Sequence, residues 1–353
     1  MATTLITGGT GFIGSNLAMR LLERDKDTKV VLFDRSPDLS RLTGFESRYE
    51  AVKDRITFVQ GDLTILTHVL ALFDAHTPDS VFHLGALLSA GAETNPTMGF
   101  QTDTVGSWHI FEAARLYCQH AGSDPIRVIF PSTIASFGSF IAPGALVNNE
   151  DVQMPTTMYG VSKVSVERLG EYYNRKGWID FRAVRFPSVI GASRGPGGTT
   201  VYSTLMIQEP LRTPPRPYIA YVAPDTRLDI IYISEAVDAI VNLHDAVGNS
   251  LKPDRRVYNI AGIRTGDGQA PTALDIKNTV VALEPTAVID FQVDPVLQKT
   301  VTSFGVLKDE AAQTDWGWKG SAQRMSLAAA VAAFRNEVKE YPKRIKSLEL
   351  FGA

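Results

Sequence analysis

Tyr159 and Lys163 stand four residues apart in the run MYGVSK, 158–163. If that run is helical, the two side chains share one face. A phenol ordinarily ionises near pH ~10. An ammonium beside it favours the phenolate and makes it a usable acid and base near neutral pH. Upstream, FPSTIASFG, 130–138, ends an apolar run with two hydroxyls. Thr133 is placed to hold a substrate oxygen against Tyr159, and its neighbour Ser132 is the second choice. A Tyr-x-x-x-Lys pair alone recurs by chance in many chains, so its meaning rests on its surroundings.

The second group opens the chain. TTLITGGTGFIGSN, 3–16, places Gly8, Gly9, Gly11 and Gly14 between an apolar run and a helical pattern. Without Cβ atoms, such a turn lets a pyrophosphate approach the backbone, and the N-terminus of the helix offers unpaired N–H groups to the phosphates. Gly8, Gly11, Phe12, Ile13 and Gly14 are the expected contacts; an ordinary turn also collects glycine. Asp34 ends VVLFD twenty residues after Gly14. A carboxylate there accepts from an adenine-ribose hydroxyl and repels a 2′-phosphate, which favours NAD over NADP. The adjacent Arg35 could instead pair with such a phosphate, and Asp34 could be a solvated strand-end charge. Asp62 and Leu63 in QGDL are placed to meet the adenine, though a plain turn reads the same.

These groups need a scaffold that brings distant segments together. Strand patterns at 3–7, 29–34, 56–59, 80–84, 127–131 and 181–185 alternate with helical ones at 12–23 and 97–120. That rhythm predicts an α/β fold: a Rossmann-type doubly wound parallel sheet, followed by a smaller interleaved C-terminal substrate-binding domain. The expected cofactor domain is 1–186, with return segments at about 225–262; 187–224 and 263–353 form the smaller one. Residues 192–217, rich in Gly, Pro and Thr, read as an elaborated loop. Further elements are expected at 230–233, 235–243, 257–260, from 271, 288–291 and 326–340.

Composition narrows the function. With 353 residues, 44% apolar, 21% charged and a net charge of −3, the chain has a sizeable core and no basic stripe, so nucleic acid is not an expected partner. Cys118 is the only cysteine and the six histidines lack ligand-like spacing, so no metal site is expected. No apolar run is long enough for a membrane span. No secretory signal is read before Thr3. A cytoplasmic location is the expectation.

In combination these motifs make the chain resemble an extended short-chain dehydrogenase/reductase of the NAD-dependent epimerase/dehydratase superfamily. Within it the chain is most similar to short-chain-type L-threonine 3-dehydrogenases and to D-erythronate dehydrogenases. HLGALLSAGAETNP (83–96), RFPSVI (185–190), GPGGTT (195–200), PDTRL (224–228), YNIAG (258–262) and DWGWK (315–319) carry the likeness. It implies NAD as cofactor, a small-molecule substrate and a homodimer paired through helices near 97–120 and 155–176. It implies Leu84, Gly85, Ala86, Phe186 and Pro187 beside the cofactor. Tyr159 becomes the acid/base and Lys163 the residue that orients the ribose and lowers the tyrosine pKa. Ser89, Thr199 and Thr200 approach the substrate.

Arg227 has two readings: a grip on a substrate carboxylate, or a structural salt bridge. His83 reads as packing near the cofactor, and Trp316 and Trp318 as packing of the small domain. Two positions depart from the relatives. Val201 stands where threonine dehydrogenases commonly carry an Asp that helps hold the substrate ammonium, and Asp103 stands where many carry Asn.

The expected activity is NAD-dependent oxidation of a secondary alcohol on a small polar substrate (a β-hydroxy acid, sugar acid or β-hydroxy amino acid), or the reverse reduction. A nucleotide-sugar epimerase or dehydratase is the alternative, although Phe186-Pro187-Ser188 replaces the Asn often found there. A non-catalytic NAD-sensing regulator is the third reading.

Overall fold

The computed structural model describes residues 2–138, 141–142, 144–319 and 325–346. Seven strands form one parallel sheet: β1 (Thr3–Thr7), β2 (Lys29–Asp34), β3 (Ile56–Gln60), β4 (Ser80–His83), β5 (Arg127–Thr133), β6 (Asp180–Phe186) and β7 (Val257–Asn259), in the spatial order β7-β6-β5-β4-β1-β2-β3. The order reverses between β1 and β4. In an open parallel sheet, a crevice forms outside the carboxyl ends of the strands at such a reversal.

Helices cover both faces, which is why the strands read as apolar runs rather than alternating ones. Ile6, Leu32 and Phe82 pack on the side of α1 (Phe12–Arg24), whereas their neighbours Leu5, Val31, Phe33 and Val81 face the other side. That second side is closed by α2 (Leu66–His76), α3 (Gly106–Ala121) and α4 (Met158–Arg175). The first side continues without a break through α6 (Ile233–Asp245) into the helices Ala273–Leu283 and Leu327–Glu340. Residues 320–324 and 347–353 of the expected smaller domain lie outside the described residues.

Two segments differ from expectation. Region 192–217 contains a helix, α5 (Tyr202–Leu211), and is not wholly loop. Tyr202, Met206 and Ile207 are fully buried, so tertiary packing stabilises a helix that Gly- and Pro-rich flanks conceal. The stretch 97–120 is not one amphipathic helix: a π-helical turn at Phe100–Val105 precedes α3. It leaves Phe100 exposed and turns Asp103 inward.

Beneath the crevice, α4 is fastened to the sheet by a buried ion pair. Arg185 of β6 donates from Nε (3.0 Å) and Nη2 (2.8 Å) to the two oxygens of Glu167. Ser132 and Gln153 donate to the same carboxylate. Burial alone would raise the Glu167 pKa, but the Arg185 charge and these hydrogen bonds hold it below the usual range. Glu167→Ala leaves Arg185 buried without its partner and should lower unfolding free energy by about 3–5 kcal/mol. Urea denaturation measures this, and a loss under 1 kcal/mol would show that the pair does not anchor α4.

Candidate active site

The crevice is a cleft of about 640 Å³ at the carboxyl ends of β1, β2, β4, β5 and β6. Its first part is the glycine turn. Gly8 has φ +65°, and a Cβ there would lie 2.8 Å from the Gly85 nitrogen. A Cβ on Gly14 would lie 2.3 Å from the Gly8 oxygen. No side chain can stand at either position without moving backbone. Gly11 caps α1 without a side-chain hydrogen bond, so the N–H groups of the first turn remain available to an anion. Asp34 accepts from the backbone of Thr10 (3.2 Å) and Ser36 (3.1 Å), which fixes its carboxylate at the rim. Arg35, Asp62 and Leu63 line the same end, and Leu84, Gly85 and Ala86 form the wall beside Gly8. These residues fit the adenosine and pyrophosphate of NAD. Arg41, which sequence reasoning missed, also lines this end and donates to Ser193 O at 3.1 Å.

Tyr159 sits in the first turn of α4, whose N-terminus is capped by the Thr157 hydroxyl accepting from Gly160 N at 3.1 Å. Lys163, one turn on, is buried and donates to Pro131 O at 2.8 Å. Its Nζ lies 5.4 Å from the centre of the Tyr159 ring and 4.3 Å from that of Phe130. Burial lowers the Lys163 pKa to about 8, against the pull of Asp103 and Glu167. Burial, with the negative charge of Asp103, pushes the Tyr159 phenol up; Arg194 opposes this. The direction differs from the lowering expected of a neighbouring ammonium because Tyr159 is enclosed and Lys163 is turned towards Pro131.

Successive residues of β5 point to opposite faces. Thr133 faces the cleft with its hydroxyl 3.2 Å from Ala135 N, accepting from it, so its own proton remains for a ligand. Ser132 also borders the cleft, but its hydroxyl is donated to Glu167 below. Phe186 and Pro187 line the floor.

A hydrogen-bonded chain runs behind the wall. Gly85 N donates to Thr7 Oγ1 (3.1 Å), which meets His83 Nδ1 at 2.7 Å. His83 Nε2 lies 2.8 Å from Ser107 Oγ, which donates to Asp103 O. Ser107 has one proton, so His83 carries its own on Nε2 and accepts from Thr7 on Nδ1. Burial, followed by the Lys163 charge, lowers the His83 pKa to about 3, so it is neutral and structural. Asp103 Oδ1 accepts from Leu87 N at 2.6 Å, and Oδ2 is buried with no hydrogen-bond partner among the described residues. Burial raises this carboxyl to about 6 despite Lys163.

The far end is made by the 191–200 loop. Ser89 accepts from Thr199 N at 3.2 Å and so ties this loop to the segment after β4. Thr200 bonds Ser188 at 2.8 Å. Arg194, another residue that sequence reasoning missed, points its guanidinium into this region; it gave no signal beyond one cation in a Gly/Pro-rich loop. Burial lowers its pKa to about 10. Arg227 does not line the cleft. It donates to Ala270 O (2.6 Å) and pairs with Asp267 (3.4 Å), which corrects its placement as a substrate contact. Val201 is buried outside the cleft. Trp318 is buried and stacks near Trp316 at 5.6 Å, away from the cleft lining. Among the described residues no three potential ligands gather around a metal site, and no helix is long and apolar enough to cross a membrane.

The fold and cleft define a dinucleotide-dependent enzyme of the extended short-chain dehydrogenase/reductase class. Residues 4–261 match the NAD dependent epimerase/dehydratase family, and the chain belongs to that family. It is 31% identical to a mitochondrial L-threonine 3-dehydrogenase of Bos taurus, over 94% of this chain and 82% of that one. It is 32% identical to an uncharacterised epimerase/dehydratase of Staphylococcus haemolyticus, covering 90% and 92%. The holo L-threonine dehydrogenase of Cupriavidus necator superposes with a TM-score of 0.80 at 28% identity, covering 95% and 99%. The chain is therefore an NAD-dependent member of the short-chain dehydrogenase/reductase class.

Two consequences are measurable. Asp34→Ser should narrow the preference for NAD over NADP by about tenfold or more, since ~1.4 kcal/mol is one decade; the ratio of kcat/KM for the two cofactors checks this. Asp103 binds its proton more tightly folded than unfolded, so its contribution favours folding below pH ~4, declines through pH 6 and is a full penalty above it. That penalty is on the order of 2–3 kcal/mol. Asp103→Asn removes the titration, so the difference in Tm between variant and wild type should be more favourable to the variant at pH 8 than at pH 5. An identical difference at both pH values would contradict it.

Proposed function

We propose that this protein oxidises the secondary alcohol of a small polar substrate, a β-hydroxy acid, sugar acid or β-hydroxy amino acid, and catalyses the reverse ketone reduction. The observation that carries this reading is the convergence of Tyr159, Lys163 and Thr133 in the cleft that begins at the glycine turn. Thr133 donates its free proton to the substrate oxygen. Tyr159, ionised, takes the hydroxyl proton as the carbinol C–H electrons leave. NAD, when bound, supplies the hydride acceptor. Lys163 keeps N–H groups for ribose hydroxyls beyond its bond to Pro131, and the positive charge of Arg194 opposes the upward shift of the phenol. Ser89, Thr199 and Thr200 shape the substrate end.

The fate of Arg227 supports this reading over a nucleotide-sugar epimerase, because its charge is directed to Asp267 and away from a diphosphate in the cleft. The presence of both Tyr159 and Lys163 supports an enzyme over a cofactor-sensing regulator. The exposed side chains of Trp108 and Leu116 on α3, and Val161 and Tyr172 on α4, support pairing of two copies across these helices.

A screen of hydroxy acids and β-hydroxy amino acids with NAD, read by NADH absorbance, should find a turned-over substrate. With it, Tyr159→Phe should lower kcat at least ~10²-fold with the fold intact by circular dichroism. Lys163→Met should be nearly as damaging and should also weaken NADH binding in a fluorescence titration. Near wild-type turnover by Tyr159→Phe would assign the proton transfer to another group.

A further inference from the structure

Arg194 is held by neutral acceptors alone. Nη1 donates to Val189 O (2.8 Å) and Ser188 Oγ (3.0 Å), and Nη2 to Thr200 Oγ1 (3.3 Å). The remaining contact, Nη1 to Thr204 Oγ1, is longer at 3.4 Å. These bonds fix the plane of the guanidinium and leave Nε–H and one Nη2–H without a protein acceptor among the described residues. That edge is the pair of parallel donors that a carboxylate accepts in bidentate fashion. No carboxylate among the described residues pairs with Arg194. A secluded cation without a counter-ion is costly, and an anionic ligand offsets that cost.

The distribution of charge along the cleft is uneven. The acids that line it are Asp34, Asp38 and Asp62, on the segments that end β2 and β3. The other end has Arg194 and Lys163, with no lining acid. Two acids that sequence position would offer to a substrate ammonium are unavailable. The residue after Thr200 is Val201, and Asp229 is buried with Arg264 at 2.6 Å while accepting from Leu307 N at 2.8 Å. Arg194 and Tyr159 line the same cleft.

We infer that Arg194 is the specificity residue of this cleft, binding a carboxylate of the substrate through its Nε/Nη2 edge and selecting hydroxy acids that lack an amine. The inference rests on the dehydrogenase reading for its chemistry, but the anion site itself is separable from it. A substrate hydroxyl between Thr133 and Tyr159 and a carboxylate on Arg194 fix two points of one molecule, which orients the carbinol carbon. An ammonium on the same molecule would enter a region whose lining charges are positive.

Two measurements test this on the full-length protein. Binding of 3-hydroxybutyrate, acetoacetate, L-threonine and neutral 3-hydroxybutyramide to NADH- or NAD-loaded protein is read by calorimetry. Turnover of the three alcohols is read by NADH absorbance. Wild type should favour the unaminated carboxylates over both L-threonine and the amide by tenfold or more. Arg194→Gln should collapse the acid-to-amide ratio, in Kd and in kcat/KM, on the order of tenfold to a hundredfold. Arg194→Lys, which keeps the charge but not the fork, should recover part of it. NADH fluorescence and Tm establish that each variant is folded and loaded. If the acids bind and Arg194→Gln removes that binding while nothing is turned over, the anion site stands and the dehydrogenase reading falls. If turnover occurs and Arg194→Gln changes acid and amide alike, Arg194 only ties the loop. A wild-type preference for L-threonine or the amide, or no carboxylate binding at all, overturns the proposal.

Discussion

The closest backbone approach in the active site governs its shape. Gly8, Gly14 and Gly85 come so near one another that a single added methyl at Gly8 or Gly14 would collide with main-chain atoms. This contact sets α1 against the junction of β1 and β4, where the strand order reverses, and directs the uncapped first turn of α1 into the crevice. The same junction brings Thr7, His83 and Ser107 into the hydrogen-bonded chain that ends at Asp103. Position of the cofactor cradle and support of the inner wall thus follow from one steric condition.

Charge is arranged in depth around that cradle. Directly beneath the floor, Glu167 and Arg185 neutralise each other and hold α4, the helix that carries Tyr159, to the sheet. Around Tyr159 the charges are less compensated. Among the described residues, Lys163 has Pro131 O as its close acceptor, one oxygen of Asp103 has no partner, and the acceptors of Arg194 are neutral. Burial shifts all three towards their neutral forms, so an ionic ligand arriving there meets groups whose protonation is easily displaced.

Much of this was legible in the chain. The strands at 3–7 and 29–34 have the limits that their apolar runs predict, because a strand buried on both faces must be apolar throughout. The glycine turn, Asp34, Tyr159 and Lys163 are local patterns whose spacing already states their geometry, and the cleft gathers them. Other features were hidden because they depend on contacts between segments far apart in sequence. Helix α5 forms where Gly and Pro suggest a loop, since burial of Tyr202, Met206 and Ile207 against distant helices outweighs the flanking composition. The sequence ranks Thr133 ahead of its neighbour Ser132 without a contact to separate them, whereas in the fold the Ser132 hydroxyl is donated to Glu167 and that of Thr133 is not.

The doubly wound class, the glycine turn after β1 and the pairing of Tyr159 with Lys163 on one helix are each encoded within a short window of side chains and their periodicity. Folding, by contrast, decides which charges line the cleft. It directed Arg227 to Asp267, enclosed Asp229 with Arg264 and placed Arg194 in the cleft lining. The physical reason is that an isolated charge in a sequence has no direction; its role is set by the partner that folding brings to it, or by the lack of one.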